Sequence, residues 1–556
     1  MKKILKILIV TSILMAGIGG GIVWFLSKGG EEVGQFDSRR HLDQSDQEDE
    51  HAFRYDTDAL ATPLERDGEN KNVMNFDEIN VFSTSHSKNS RERLDRLIRR
   101  SNPDFNQPLI AYNPFGTMPN TYYFYFKTQS PCMVRYTVTV EDEKIPDMIR
   151  YISNGNPKNM STEHEFVVGG LIPGMKNYIV MELLDENGSH REDITYKVDV
   201  PDMQASTRIQ YEHGKSDFRL DNGLFFLMPK KDKDIYIYDN NGTLRGRMDT
   251  ESGHGRRVYV NDSYIVYQVT ATHVVRVNKL GQIEGMALFT GIGEILDFAY
   301  DDYENIFALI KNGKRYQIVR SSMKGGKTQL VYTFEKESKP TSISSVVGGN
   351  LYVSMAEPMG IMRIDGLLSE RPKVKLVVGL KADWKESTLK KRVIDPTVPK
   401  KKKKTEDDKD KKDKDGEETE EVASGEAVKV APEVQKEKPL INWNMENTLL
   451  SLVKEESDTK TDTLTFAVSK NRLVYAVKMQ ITAKSKEVNL LLDKETEFDG
   501  NVIVQWLKSG HCIIGNGSRG TYEERDGDFK VTRDFTCGME FDGVWKYSLE
   551  GFCFYP

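Results

Sequence analysis

Asp234-Ile235-Tyr236-Ile237-Tyr238-Asp239, running into Asn240-Asn241-Gly242, decides the fold of this chain. An extended run of β-branched and aromatic residues, stopped by Asn and Gly, is a strand entering a hairpin turn. The figure returns at His273-Val274-Val275-Arg276-Val277-Asn278, before Lys279-Leu280-Gly281. A looser copy is Tyr316-Gln317-Ile318-Val319-Arg320, and another is Ile361-Met362-Arg363-Ile364-Asp365-Gly366. Ile235, Val274, Tyr316 and Ile361 are equivalent positions, separated by 39, 42 and 45 residues. A period of about 40 to 50 residues with several strands per repeat is that of a β-propeller blade. Blades surround a central channel whose mouth is the usual place for a site.

Upstream of the repeats lies a second strand-rich region. Tyr122 to Phe126, Met133 to Val140, His164 to Val168, Tyr178 to Leu184 and Thr195 to Val200 read as strands, separated by turns such as Asp185-Glu186-Asn187-Gly188. This density of short strands predicts a small β-sandwich over 105–201, closed by Pro201. The propeller is expected over 208–556. It is interrupted by five lysines, Lys400 to Lys404, and a mixed-charge run beyond them. Like charges repel and such a composition buries little, so about 385–440 is expected to be a disordered insert without a partner.

The N-terminus reads as a membrane signal. Ile7 to Leu26 is an uncharged run of twenty residues, long enough to cross a hydrocarbon core of roughly 30 Å. Lys2, Lys3 and Lys6 precede it, and Glu31 and Glu32 follow. That asymmetry puts residues 1–26 in a single-pass anchor and the body outside the cytoplasm. A cleaved signal peptide is the competing reading, because Ala16 to Gly21 is rich in small residues, but Ile22 to Leu26 prolongs the apolar run. Residues 27–104 are polar and are expected to form a disordered stalk. One stretch of it, Ser90 to Arg100, carries Leu94, Leu97 and Ile98 at helical spacing.

At 556 residues the chain is too long for one core. A net charge of −7 over this length argues neither for nor against a polyanionic partner, but no basic stripe is interleaved with aromatics, so no nucleic-acid partner is expected. No Cys/His cluster has metal-ligand spacing, so no metal and no cofactor is expected. A disulfide among Cys512, Cys537 and Cys553 is plausible outside the membrane.

Two motifs carry a family resemblance. Asn113-Pro114-Phe115-Gly116-Thr117-Met118-Pro119-Asn120 resembles the Asn-Pro-aromatic-Gly-x-x-Pro signature that opens bacterial arylsulfate sulfotransferases. His164 to Gly174, a strand leading into Gly170-Leu171-Ile172-Pro173, is similar to the same domain's second landmark. Asn516-Gly517-Ser518-Arg519 resembles a late motif of the family's last blades. The resemblance implies an all-β fold in which a β-sandwich precedes a six-bladed propeller. It also implies sulfuryl transfer between phenols through a sulfated histidine at the propeller centre.

The catalytic pattern is not met. The chain has nine histidines, and none lies between His273 and His511. The family's His-His-Asp falls at Ile295-Leu296-Asp297, where only Asp297 survives, and its His-x-Asn-Ser falls near Ser342 to Ser345. His273 and His511 occupy strand and turn positions and are expected to be structural. What remains is Ser252-Gly253-His254-Gly255-Arg256-Arg257, a basic Gly-flanked turn able to cradle an oxyanion. The alternative is an ordinary surface loop. His254, Arg256, Arg257 and Asp297 are therefore the candidate substrate-binding residues, for a phenolic or sulfated ligand, and no catalytic residue is assigned. The expected function is binding or scaffolding by a catalytically degenerate propeller; the alternative is an active arylsulfate sulfotransferase.

Overall fold

The computed structural model describes residues 63–76, 82–152, 160–202, 223–396, 443–453 and 461–548, apart from single positions 262, 302 and 347. The expected anchor at 1–26, most of the expected charged insert and Cys553 lie outside these residues. Among the described residues no helix is long and apolar enough to cross a membrane.

Six four-stranded antiparallel units form the propeller, the fourth with one added parallel strand. Blade 2 comprises Val258–Val260, Tyr264–Thr270, His273–Asn278 and Ile283–Leu288; blade 3 runs from Glu294 to Thr333, and blade 4 from Lys339 to Val378. Blade 5 begins at Ser451–Val453 and blade 6 at Val502–Trp506. Blade 1 is closed by both ends of the domain. Its first strand is the C-terminal Phe541–Tyr547, which pairs with Leu224–Pro229 in the register Phe226↔Trp545. This joint ties the last residues to the first and removes the open edge. The repeated stretch of sequence is the third strand of blades 1 to 4. The turns after it need a left-handed residue, supplied by Gly242 (φ 75°) and Gly281 (φ 89°).

The sandwich is built around one long strand, Tyr122–Val140, which changes partners along its length. Its first half pairs with Leu109–Tyr112 and Ser161–Val168, its second half with Met148–Tyr151 and Lys176–Leu184. A register shift between Lys127 and Cys132 marks the change of layer. Phe124, Tyr136, Phe166 and Tyr196 fill the space between the layers.

Order extends beyond the expected limits at two places. Short strands at Glu65–Arg66, Glu69–Asn70 and Val73–Met74 add to the sandwich sheets, although residues 27–104 were expected to be a disordered stalk. Each is two residues long, too short to show alternation. The helix expected at Ser90 to Arg100 spans Thr84–Ser101, with the Ser83 side chain accepting from His86 N and Leu94 and Leu97 buried. The insert is narrower than 385–440. Trp384 is buried and donates to Met359 O, and Val393–Ile394 pairs in parallel with the last strand of blade 4.

Cys512 and Cys537 are both unpaired and buried, each in a separate apolar cluster. Of the three cysteines among which a disulfide was expected, these two are not bonded and Cys553 lies outside the described residues; each described thiol packs as a small hydrophobe.

Candidate functional site

The starting ends of the innermost strands meet around a cavity of about 370 Å³ at the channel mouth. His254, Gly255 and Arg256 enter it ahead of blade 2, Ile295 and Leu296 from blade 3, and Pro340 and Thr341 from blade 4. Glu446, Asp542 and Gln268 complete the wall. A Cβ at Gly255 would stand 2.3 Å from Gln268 Oε1, so a side chain there would require the Gln268 amide to shift.

Below the cavity the channel is filled. Arg257 and Asp297 form a bidentate pair, Nε to Oδ1 at 3.0 Å and Nη2 to Oδ2 at 3.1 Å. Ser342 Oγ donates to Asp297 Oδ2 at 2.6 Å, and the Ile343 amide donates to the same oxygen at 3.0 Å. Arg257 Nη2 also donates to Leu450 O at 2.9 Å, and Leu450 N donates to Ser342 Oγ at 3.1 Å. The Trp545 ring covers the guanidinium at 4.9 Å. One plug therefore joins residues of blades 1 to 5. Burial opposes the Arg257 charge, but Asp297 and Tyr259 outweigh it and hold its pKa above the ordinary arginine value.

Arg256 and Arg257 have opposite fates: one side chain lines the cavity and the other enters the plug. Arg257 points into the plug and is not available to a ligand, contrary to expectation. Asp297 is likewise consumed there. Arg256 lines the cavity, half-buried, and donates to Thr341 O at 3.5 Å. Burial lowers its pKa, Asp297 opposes that effect and Arg257 reinforces it. A guanidinium has five N–H donors, so most of the binding capacity of Arg256 is unused by the protein.

His254 also reaches the cavity, as expected, but with both ring nitrogens engaged. Nδ1 lies 2.9 Å from Gly255 O and Nε2 lies 2.8 Å from Pro229 O. Both ring nitrogens are thus turned toward backbone carbonyl oxygens. The remaining propeller histidines are structural. His273 Nε2 meets Thr290 Oγ1 at 3.0 Å, and His511 Nδ1 meets the buried Glu524 at 2.6 Å.

The two sequence landmarks of the sandwich are architectural. Asn113 (φ 36°), Gly116 and Asn120 shape a turn in which Asn113 Oδ1 accepts from Met118 N. Its Thr117 docks the sandwich on the propeller, donating to Gly281 O at 2.7 Å and accepting from Asp249 N at 3.0 Å. Asn177 closes the second landmark through Ile172 N and O.

Residues 109–201 match the arylsulfotransferase Ig-like domain. The similarity is confined to that one domain, about a sixth of the chain. No curated protein matches the chain. Among solved structures it is similar to a protein of unknown function from Bacteroides caccae, at 11% identity and a TM-score of 0.35, over 59% of this chain and 99% of that one. It is also similar to virginiamycin B lyase from Staphylococcus aureus, at 11% identity and a TM-score of 0.32, over 62% of this chain and 97% of that one. Likenesses this remote carry no functional weight.

Gln268, Thr341, Glu446 and Asp542 were not legible as site residues in the arylsulfotransferase-like sequence. They come from separate strand ends, and only ring closure brings them together. Thr341 alone had a signal, being next to the Ser342 to Ser345 motif.

Proposed function

We propose that this chain is a membrane-anchored, extracytoplasmic, arylsulfotransferase-like propeller that binds a small organic anion at the channel mouth and does not transfer a sulfuryl group. A phenolic sulfate or related aryl anion is the ligand class: Arg256 supplies the charge, and Ile295, Leu296 and Pro340 supply an apolar wall. The observation that carries the reading is the state of the expected catalytic positions. Ile295 and Leu296 are apolar, Asp297 is locked to Arg257, and both nitrogens of His254 face carbonyl oxygens. Histidine-mediated transfer needs an imidazole lone pair aimed at the sulfur and donors around the transferred oxygens.

Isothermal titration with 4-nitrophenyl sulfate tests binding, and release of 4-nitrophenol in the presence of excess phenol tests transfer. The reading expects binding without release, and a loss of about tenfold or more in affinity for Arg256→Gln, the scale of a charge-assisted hydrogen bond. Catalytic release of 4-nitrophenol that His254→Ala abolishes would instead establish the active-enzyme alternative.

A further inference from the structure

The sandwich holds a group of donors that the channel mouth does not use. The register shift on the strand Tyr122–Val140 throws residues 128–131 outward and brings Cys132 back beside His164 of the neighbouring strand. Cys132 Sγ lies 3.3 Å from His164 Nε2. Thr128 Oγ1 lies 3.4 Å from the same nitrogen and 3.7 Å from the sulfur. Three donors of different kinds thus stand at the corners of a nearly equilateral triangle. The point equidistant from such corners is about 2 Å from each, close to the bond lengths of a d10 ion to nitrogen, oxygen and sulfur.

Nε2 is the His164 ring nitrogen turned toward both Cys132 and Thr128. The Phe126 ring packs on the His164 ring at 5.0 Å. His164 and Cys132 are 5% and 1% exposed, whereas Gln129, Ser130 and Pro131 above them are exposed. Arg191 anchors the bulge by donating to Ser130 Oγ and Pro131 O.

We propose that Cys132, His164 and Thr128 form a binding site for one soft monovalent cation, with Cu(I) as the natural class and Ag(I) as its analogue. Thiolate and imidazole favour soft ions. Charge chooses between monovalent and divalent ions. One thiolate cancels a single positive charge, giving a neutral centre suited to these apolar surroundings, whereas Zn(II) would leave an uncompensated buried charge. On binding, the Cys132 S–H bond breaks, a sulfur–metal bond forms and the proton leaves to solvent. The oxidation state of the metal does not change.

The test uses the full chain in detergent, with Cys553→Ser to remove the thiol outside the described residues. Cu(I) is supplied anaerobically against a chromophoric Cu(I) chelator. The proposal expects one Cu(I) per chain, weakened about 10- to 100-fold or more by Cys132→Ser and by His164→Gln, and less by Thr128→Ala. X-ray absorption on the unsubstituted site guards against misfolded variants: one sulfur and two lighter donors are expected around copper. No uptake, a copper shell without sulfur, unchanged affinity in folded Cys132→Ser, or tighter binding of Zn(II) than of Cu(I) would overturn the proposal.

Discussion

Replacing Asp297 by Asn probes the plug beneath the channel mouth. The Arg257 and Asp297 side chains are 2% and 0% exposed, so neither charge is shared with water. Asp297 accepts from Arg257 twice, from Ser342 Oγ, and from the Ile343 and Phe298 amides. Asn keeps the shape but removes the charge, and its NH2 group faces donors. Breaking a buried pair from one side costs about 3–5 kcal/mol, because the surviving charge is stranded. That is a large part of a stability of about 5–15 kcal/mol. Removing both charges with Arg257→Met and Asp297→Leu should cost far less than the sum of the two single changes, since no charge is then left behind. Urea unfolding followed by tryptophan fluorescence reads this directly, because Trp545 lies on the Arg257 guanidinium. A cost below about 1 kcal/mol for Asp297→Asn, or strict additivity in the double variant, would refute a dry, charge-paired plug.

Two further outcomes are expected. Burial pushes the Asp249 carboxyl up to about 6, against the opposing pull of the Arg247 guanidinium. Its folded value exceeds the unfolded one, so the native state holds an extra proton between about pH 4 and 6, and this residue's contribution to stability falls as pH rises through that window; Asp249→Asn should remove that slope from a stability-versus-pH series, and an unchanged slope would contradict the assignment. Deleting residues 398–438 should change stability by less than about 1 kcal/mol, because loop closure costs only about 0.6 kcal/mol per doubling of length, whereas a loss above about 2 kcal/mol in thermal unfolding would mean that the segment packs.

The propeller was legible because its third strands end in turns that demand Gly or Asn/Asp. Where that demand is met otherwise, the signal fades. In blades 5 and 6 the corresponding turns place Lys486 (φ 55°) and Phe529 (φ 67°) in the left-handed region, so Leu473–Thr482 and Thr521–Arg525 did not register as copies. The closing strand Phe541–Tyr547 was invisible as the first strand of blade 1, because its partner lies more than 300 residues earlier. At the site, the turn with His254 and Arg256 was found from composition alone. Arg257 and Asp297 were found as residues but given the wrong task. Sequence marks a conspicuous charge without showing that another charge, 40 residues away, neutralises it.

The central claim is that this arylsulfotransferase-like propeller binds without passing a sulfuryl group through histidine. Intact-mass spectrometry after incubation with 4-nitrophenyl sulfate tests it most directly. A chain of unchanged mass is predicted, because both ring nitrogens of His254 face backbone carbonyl oxygens and the expected oxyanion donors at blade 3 are Ile295 and Leu296. A sulfurylated peptide containing His254 would contradict it.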